Sequence, residues 1–340
     1  MYNNRLFIKF CNERNIKKNT MNGYSAALKL YTKICGLNLK ELIEEAQYDE
    51  RKKILKNRRL KKHLIEYRTY LIDNLTPATA KTYFSKVKTF YIHFEIEIPY
   101  LPSVKYGKEY ETGYLDLPTK KDIKKSLSIA SLEMRAIILF MTSSGTAKAE
   151  TLSLTIQDFI DATREYHENN GLEKILNQLE NQNNVVPTIY LKRIKTNKYY
   201  YTFCSPEASK EIIKYLKSRE SITPKDKLFD IGHSLLLSKF QQINDMMGWG
   251  IKGNFRFFRS HTLRKFHASN IGLSAEYIDA LQGRRKTTTH ETYIKTNPQE
   301  LKNIYMEHMQ NVCINKKFNV QPTKQKQSID INVTISIHYN

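Results

Sequence analysis

Apolar residues recur every three to four positions through most of the first hundred residues, the spacing of helices that bury one stripe. Leu6, Phe7, Phe10 and Cys11 make one such face. After Thr20, the residues Tyr24, Leu28, Leu30, Tyr31 and Ile34 predict a second helix ending near Gly36. A short helix is predicted over residues 39–46 and a long amphipathic one over 51–74. Thr76-Pro77 opens another, with Thr as cap and Pro in the first turn, running through Tyr83, Val87, Phe90, Tyr91 and Phe94. The period is lost over residues 101–118, where Pro102, Gly107, Gly113 and Pro118 mark a linker.

Beyond the linker the pattern changes twice. A helix is predicted over 120–131, then one over 131–143 whose Met134, Ile137, Ile138, Leu139, Phe140 and Met141 leave little polar face, so it is expected to be buried. Residues 164–186 look like an Asn-rich polar insertion with one short helical piece. Residues 186–208 alternate with period two about Lys195-Thr196-Asn197-Lys198, which predicts two strands and a turn. Helices follow over 207–219, 234–247 and 300–312, with a short strand at 227–229. Residues 328–340 alternate Ile and Val, as an edge strand, a disordered tail or a tail exchanged between subunits would. The whole reads as a mainly α chain with a small antiparallel sheet.

Charge narrows the partner. The chain has 340 residues, enough for two domains, a formal net charge of +21 and a pI near 9.6. Residues 1–100 hold 20 Lys and Arg against 10 Asp and Glu, which suits a polyanion such as nucleic acid. A basic surface kept for solubility is the plain alternative. Cys11, Cys35, Cys204 and Cys313 form no C-x-x-C pair, which argues against a zinc site and fits a reducing cytoplasm. The start, MYNNRLFIKF, is too polar for a signal peptide, and no apolar run reaches membrane-spanning length.

The densest chemistry lies between His261 and Tyr293. His261 and Arg264 stand one helical turn apart and share a face. Arg284 and Tyr293 follow. Cleaving a phosphodiester without a metal needs fixed donors for the non-bridging oxygens, a nucleophile, and a proton donor for the leaving oxygen. A guanidinium presents a planar fork to phosphate, and a tyrosine can attack it.

His261-Thr262-Leu263-Arg264, Leu281-Gln282-Gly283-Arg284, Thr287-Thr288-Thr289 and Tyr293 together resemble the C-terminal signature of the tyrosine recombinases, the phage-integrase family. Arg284 stands where a His or Trp is usual. Ser143–Phe159 resembles the first family box in Glu150, Leu152 and Leu154, but its arginine is missing: the two alignments put Ala147 or Lys148 in its place. Lys148 keeps the charge without the fork, which would raise the barrier by about 1–3 kcal/mol. The hairpin turn matches the family's catalytic lysine at Lys195, with Lys192 and Lys198 as rivals. TPATAKTYFSKVKTFYIHF, from Thr76, resembles a helix of the family's core-binding domain.

The resemblance implies a helical core-binding domain over residues 1–100, a linker over 101–118, a mixed α+β catalytic domain over 119–312 and a tail over 313–340. It implies a site-specific DNA recombinase, an integrase of a mobile element, working in the cytoplasm at the nucleoid through a 3′-phosphotyrosyl intermediate. Tyr293 would be the nucleophile, Arg264, His261, Arg284 and Lys148 the phosphate clamp, and Lys195 the acid. Arg58, Arg59, Lys62, Thr79, Lys81, Thr82, Lys86 and Lys88 would contact double-stranded DNA. A homotetramer on paired sites is implied, with no metal and no cofactor. The alternatives are a weak or non-catalytic DNA-binding relative, a Xer-type dimer resolvase, and a type IB topoisomerase-like enzyme.

Overall fold

The computed structural model describes residues 1–52, 54–168, 171–284 and 297–315. The chain divides into two units, Met1–Glu111 and Thr112–Asn340.

The first unit is all helical: α1 (Arg5–Glu13), α2 (Lys18–Cys35), α3 (Leu39–Lys52), α4 (Arg59–Asn74) and α5 (Pro77–His93). Asn4 caps α1, and Gly36 ends α2 in the left-handed region that a β-carbon disfavours. The stripes predicted from spacing meet in an aromatic core of Phe7, Phe10, Tyr31, Tyr67, Phe90 and Tyr91. The buried hydroxyls are satisfied there. Tyr31 and Tyr91 share a hydrogen bond of 3.0 Å, and the Tyr67 hydroxyl donates to the Ala27 carbonyl.

Two expectations need correcting. The helix predicted over 39–46 runs on to Lys52, and the one predicted over 51–74 begins only at Arg59. Local charge explains the break. Asp49, fully buried, accepts the backbone N–H of Arg59 at 2.7 Å and pairs with its guanidinium at 2.9 Å. A carboxylate at a helix N-terminus satisfies an orphan donor and opposes the dipole, so α4 starts where α3's acids can reach it. The 101–118 segment is also less free than a linker. Arg68 donates to the Pro102 carbonyl, and Lys81 lies over Tyr106 and pairs with Glu109, so its first part packs on the helical unit.

The second unit is built around α7 (Leu132–Ser144), buried at nearly every position from Met134 onward and packed between α11 (Pro206–Lys217) and α13 (Ser260–Asn270). α6 (Lys120–Ile129) enters through a capping box between Thr119 and Asp122. α8 (Lys148–Thr151) and α9 (Ile156–Ala162) follow α7. The hairpin β1 (Thr188–Arg193) and β2 (Lys198–Phe203) pairs Leu191 with Tyr200 and Arg193 with Lys198. Its turn spans residues 194–197. α12 (His233–Met246), a short hairpin of β3 (Ile251–Lys252) and β4 (Phe255–Arg256), α14 (Ala275–Leu281) and α15 (Pro298–His308) complete the unit.

Three further differences are local. The stretch read as a polar insertion contributes α10 (Leu172–Glu180), whose Ile175, Leu176 and Leu179 are buried beside α11. Residues 227–229 form a bridge rather than a strand: Thr155 pairs with Lys227, and Leu228 donates to Leu154. Val312 and Cys313 are buried, and Glu207 accepts the backbone N–H groups of Ile314 and Asn315. The chain therefore stays in the core beyond 312. The tail's alternating Ile and Val lie outside the described residues.

Removing the buried acid between α3 and α4 orphans the Arg59 N–H and leaves its guanidinium with Glu45 alone among the described residues. Asp49→Ala is expected to cost roughly 3 kcal/mol in urea unfolding. A cost under about 0.5 kcal/mol would mean that solvent replaces the carboxylate.

Candidate functional site

In the second unit the charges of Arg193 and Arg284 act on one buried guanidinium. Arg264, on α13, is buried, and two carbonyls fix its fork: Nη1 donates to Gly145 at 2.5 Å and Nη2 to Gln282 at 2.8 Å. Gly145 ends α7 and Gln282 ends α14, so one side chain ties three segments that are far apart in the chain. Among the described residues no carboxylate pairs with it. Burial and the neighbouring charge of Arg193 lower its pKa to about 10, and Arg284 adds to this, while Tyr200 and Glu150 work the other way. It remains a cation at neutral pH.

A buried amide locks this arrangement. Gln282 Nε2 donates to the Arg264 carbonyl at 3.1 Å and meets His267 Nδ1 at 3.0 Å. Both partners are acceptors, so the His267 proton is assigned to Nε2, which is buried with no partner among the described residues. His267 is fully buried, and burial pushes its pKa down to about 3, aided by Arg264 and Arg284. Gly145 is required here. It has φ +64°, and a β-carbon would lie 2.5 Å from His267 Nδ1 and 2.7 Å from Gln282 Nε2. Gly283 is under the same constraint: φ is +58°, and a β-carbon would meet the Tyr200 ring at 2.5 Å. The hairpin thus braces the turn that carries Arg284.

His261 lies at the start of α13 and is exposed on one side. The protein crowded about its ring strips water from it, and Arg259, Lys265, Arg264 and Arg284 repel its proton, so its pKa falls to about 4. It is neutral at pH 7. Arg259 lies over the exposed Phe255 ring at 4.2 Å. Arg284 is exposed and makes a loose pair with Asp279, at 3.6 Å. Arg264, His261 and Arg284 are therefore brought within electrostatic reach of one another.

Lys148 opens α8 half-buried, and loss of water alone lowers its pKa. It has no ion pair among the described residues. Lys195 is exposed in the hairpin turn, without a hydrogen bond or ion pair among the described residues. Lys192 lies over the Tyr199 ring. Tyr293 lies outside the described residues, as do Thr287, Thr288, Thr289 and His290.

In the first unit the candidate contacts fall into separate groups. Arg58 pairs with Glu50 and Glu97, and Arg59 with Glu45 and Asp49, so both serve the junction of α3 and α4. Lys62 makes a loose surface pair with Glu66 at 3.8 Å, worth little. Helical spacing divides α5. Thr79, Thr82 and Lys86 share one side of the buried stripe, while Lys81 and Lys88 lie on the other. Thr82 donates to Ala78, and Lys86 lies over Tyr24 with its pKa lowered by burial. Lys88 lies over Phe84.

No family model matches the chain, and no curated protein matches its sequence. Its structure is similar to that of XerH site-specific recombinase in a post-cleavage complex with a palindromic difH substrate. The identity is 18%, the TM-score 0.51, and 87% of this chain and 82% of that one are covered. It is similar also to lambda integrase in a tetramer bound to a Holliday junction, with 14% identity, a TM-score of 0.51 and coverage of 86% and 78%. A lambda integrase dimer bound to a COC′ core site gives 14% identity, a TM-score of 0.51 and coverage of 85% and 95%. The chain has the tyrosine-recombinase fold.

Within the tyrosine-recombinase fold, the tethers of Arg264 were not legible from motif spacing. Gln282 reads as a variable residue inside Leu-x-Gly, and its role emerges only when α14 meets α13. Arg193 was missed as well. Strand alternation carried a signal, since Leu191 and Arg193 have the same parity and Leu191 is apolar.

His267 sets an acid limit. Its folded pKa lies below the ordinary 6.5, so the unfolded chain binds the proton first, and stability falls as pH drops from 6.5 toward 3. His267→Gln keeps an acceptor for Gln282 and removes the titration. Between pH 7 and 5 wild type is expected to lose about 2 kcal/mol more unfolding free energy than this variant. Equal losses in urea titrations at the two pH values would show that His267 takes up its proton without cost.

Proposed function

We propose that this chain cuts and rejoins duplex DNA at a specific site through a 3′-phosphotyrosyl intermediate, as the integrase of a mobile element. The observation that carries this reading is the state of Arg264. Its guanidinium is buried, held in a fixed fork and pressed by like charges, with no carboxylate of its own among the described residues. Burying such a group is costly unless an anion meets it, and a phosphodiester is an anion of matching shape.

In the reaction, the Tyr293 hydroxyl gives up its proton to water, its oxygen bonds to phosphorus and the bond to the 5′-oxygen breaks. Arg264, Arg284 and neutral His261 donate to the non-bridging oxygens as charge builds on them. Lys148 is the remaining candidate for that clamp. Lys195, exposed in its turn, delivers the proton to the leaving oxygen. Rejoining reverses these steps with the 5′-hydroxyl of a partner strand as nucleophile. The steps as written draw on no metal or nucleotide cofactor. In the first unit, Thr79, Thr82 and Lys86 would follow one phosphate track and Lys81 with Lys88 another, positioning the duplex more than reading bases. Exchange between two duplexes calls for an assembly of this chain, four copies on paired sites. The place of work would be the nucleoid in the cytoplasm.

Nicked suicide duplexes drawn from a randomised library test the central step. Wild type is expected to yield adducts that survive denaturation, and Tyr293→Phe none. Adducts that persist in Tyr293→Phe would remove Tyr293 as nucleophile, and their absence from wild type would overturn the strand-cutting reading.

A further inference from the structure

We propose that Arg193, on the hairpin, supplies the phosphate-clamping guanidinium that the turn between Gly145 and Glu150 lacks. This rests on the strand-cutting reading above. That turn reads Gly-Thr-Ala-Lys-Ala-Glu and holds no arginine. Its Glu150 is buried, and Oε1 accepts Arg193 Nη1 at 3.1 Å and the Ile194 N–H at 3.3 Å. The end of β1 is therefore tied to the turn by one carboxylate. Glu150 Oε2 has no partner among the described residues.

Strand parity gives Arg193 its direction. Leu191 and Arg193 share the inner side of β1, and Leu191 faces Tyr200, whose ring covers Gly283. Lys192 takes the outer side, over Tyr199. Arg193 is largely buried, with 16% of its side chain exposed. One of its nitrogens holds Glu150, and its other donors are uncommitted among the described residues. Of the charges that act on Arg264, Arg193 is the strongest, and it lies within the same group as Arg284. Lys148 makes no ion pair among the described residues, and loss of water lowers its pKa. Two guanidiniums that repel each other, with a carboxylate paired to only one of them among the described residues, make a site short of one anion.

The plain alternative is that Arg193 only neutralises Glu150. Lysine separates the two roles. Arg193→Lys keeps a cation for Glu150 but removes the fork. Single-turnover cleavage of a trapped suicide duplex is expected to fall about tenfold to a hundredfold, with the melting temperature held. A methylphosphonate at the scissile position carries no charge on the oxygen that the clamp would hold, so the penalty on that substrate should shrink toward onefold. Arg193→Ala would also leave Glu150 unpaired and lower the melting temperature, so the lysine variant carries the test. A second arm places arginine in the turn: Ala147→Arg in the Arg193→Lys background should restore part of the lost rate. Wild-type cleavage by Arg193→Lys overturns the proposal. So does a larger loss in Lys148→Ala than in Arg193→Lys, or a loss of equal size on both substrates. Wild type that forms no Tyr293 adduct overturns the underlying reading instead.

Discussion

The second unit depends on the capture of the Arg264 fork by two backbone carbonyls. A guanidinium in a core must satisfy its donors or lose far more than one hydrogen bond contributes. Here the partners are the C-terminal end of α7 and the turn after α14, so the side chain acts as a tie between segments as well as a charge. Gln282 closes the ring by donating back to the Arg264 carbonyl, and Gly145 leaves room for it. Any shift in α7, α13 or α14 moves the charge. The geometry of the site is therefore set by the packing of the core.

That dependence explains how α7 must be built. Apolar around its circumference, it can only be central, with α11 and α13 against it. α15 is anchored to the same helix: the buried Tyr305 hydroxyl donates to the Ser143 carbonyl, and its ring lies against Phe203 of β2. The described part of the chain beyond residue 297 thus returns to its own unit. Ser143, Gly145 and the Arg264 fork lie within three residues of one helix end, so the C-terminal helix and the charged site share an anchor.

Much of this was legible before any coordinates. The apolar stripes of α1, α2 and α5, the buried α7 and the period-two hairpin follow from spacing alone, because burial imposes its own period. Pairings set by single charges were not legible. The start of α4 depends on Asp49 reaching ten residues forward, which no periodicity records. The hydrophobic face of α10 was hidden by the Asn-rich residues around it. At the site, the residue types from His261 to Arg284 were plain, but Gln282 and Arg193 act through contacts made only after α14 and β1 meet α13 and α8. Motif spacing records residue types along the chain better than the contacts that hold them in place.

The remaining question is what balances so much like charge. Lowering the Arg264 pKa from 12.5 to about 10 corresponds to roughly 3 kcal/mol of strain on the charged form. His261 and His267 respond by staying neutral, which spares the cluster two further cations. Arginine has no such escape at neutral pH, so its cost persists until an anion arrives. On the proposed strand-cutting reading, the same repulsion that weakens the empty fold would become binding energy for a phosphate. It also orders the roles. Neutral His261 can donate a hydrogen bond at once, whereas a protonated histidine would add to the repulsion before the anion is bound. A fork tethered by carbonyls keeps its aim while the charge is unmet, and this is why backbone oxygens, rather than a carboxylate that would cancel the charge, hold Arg264.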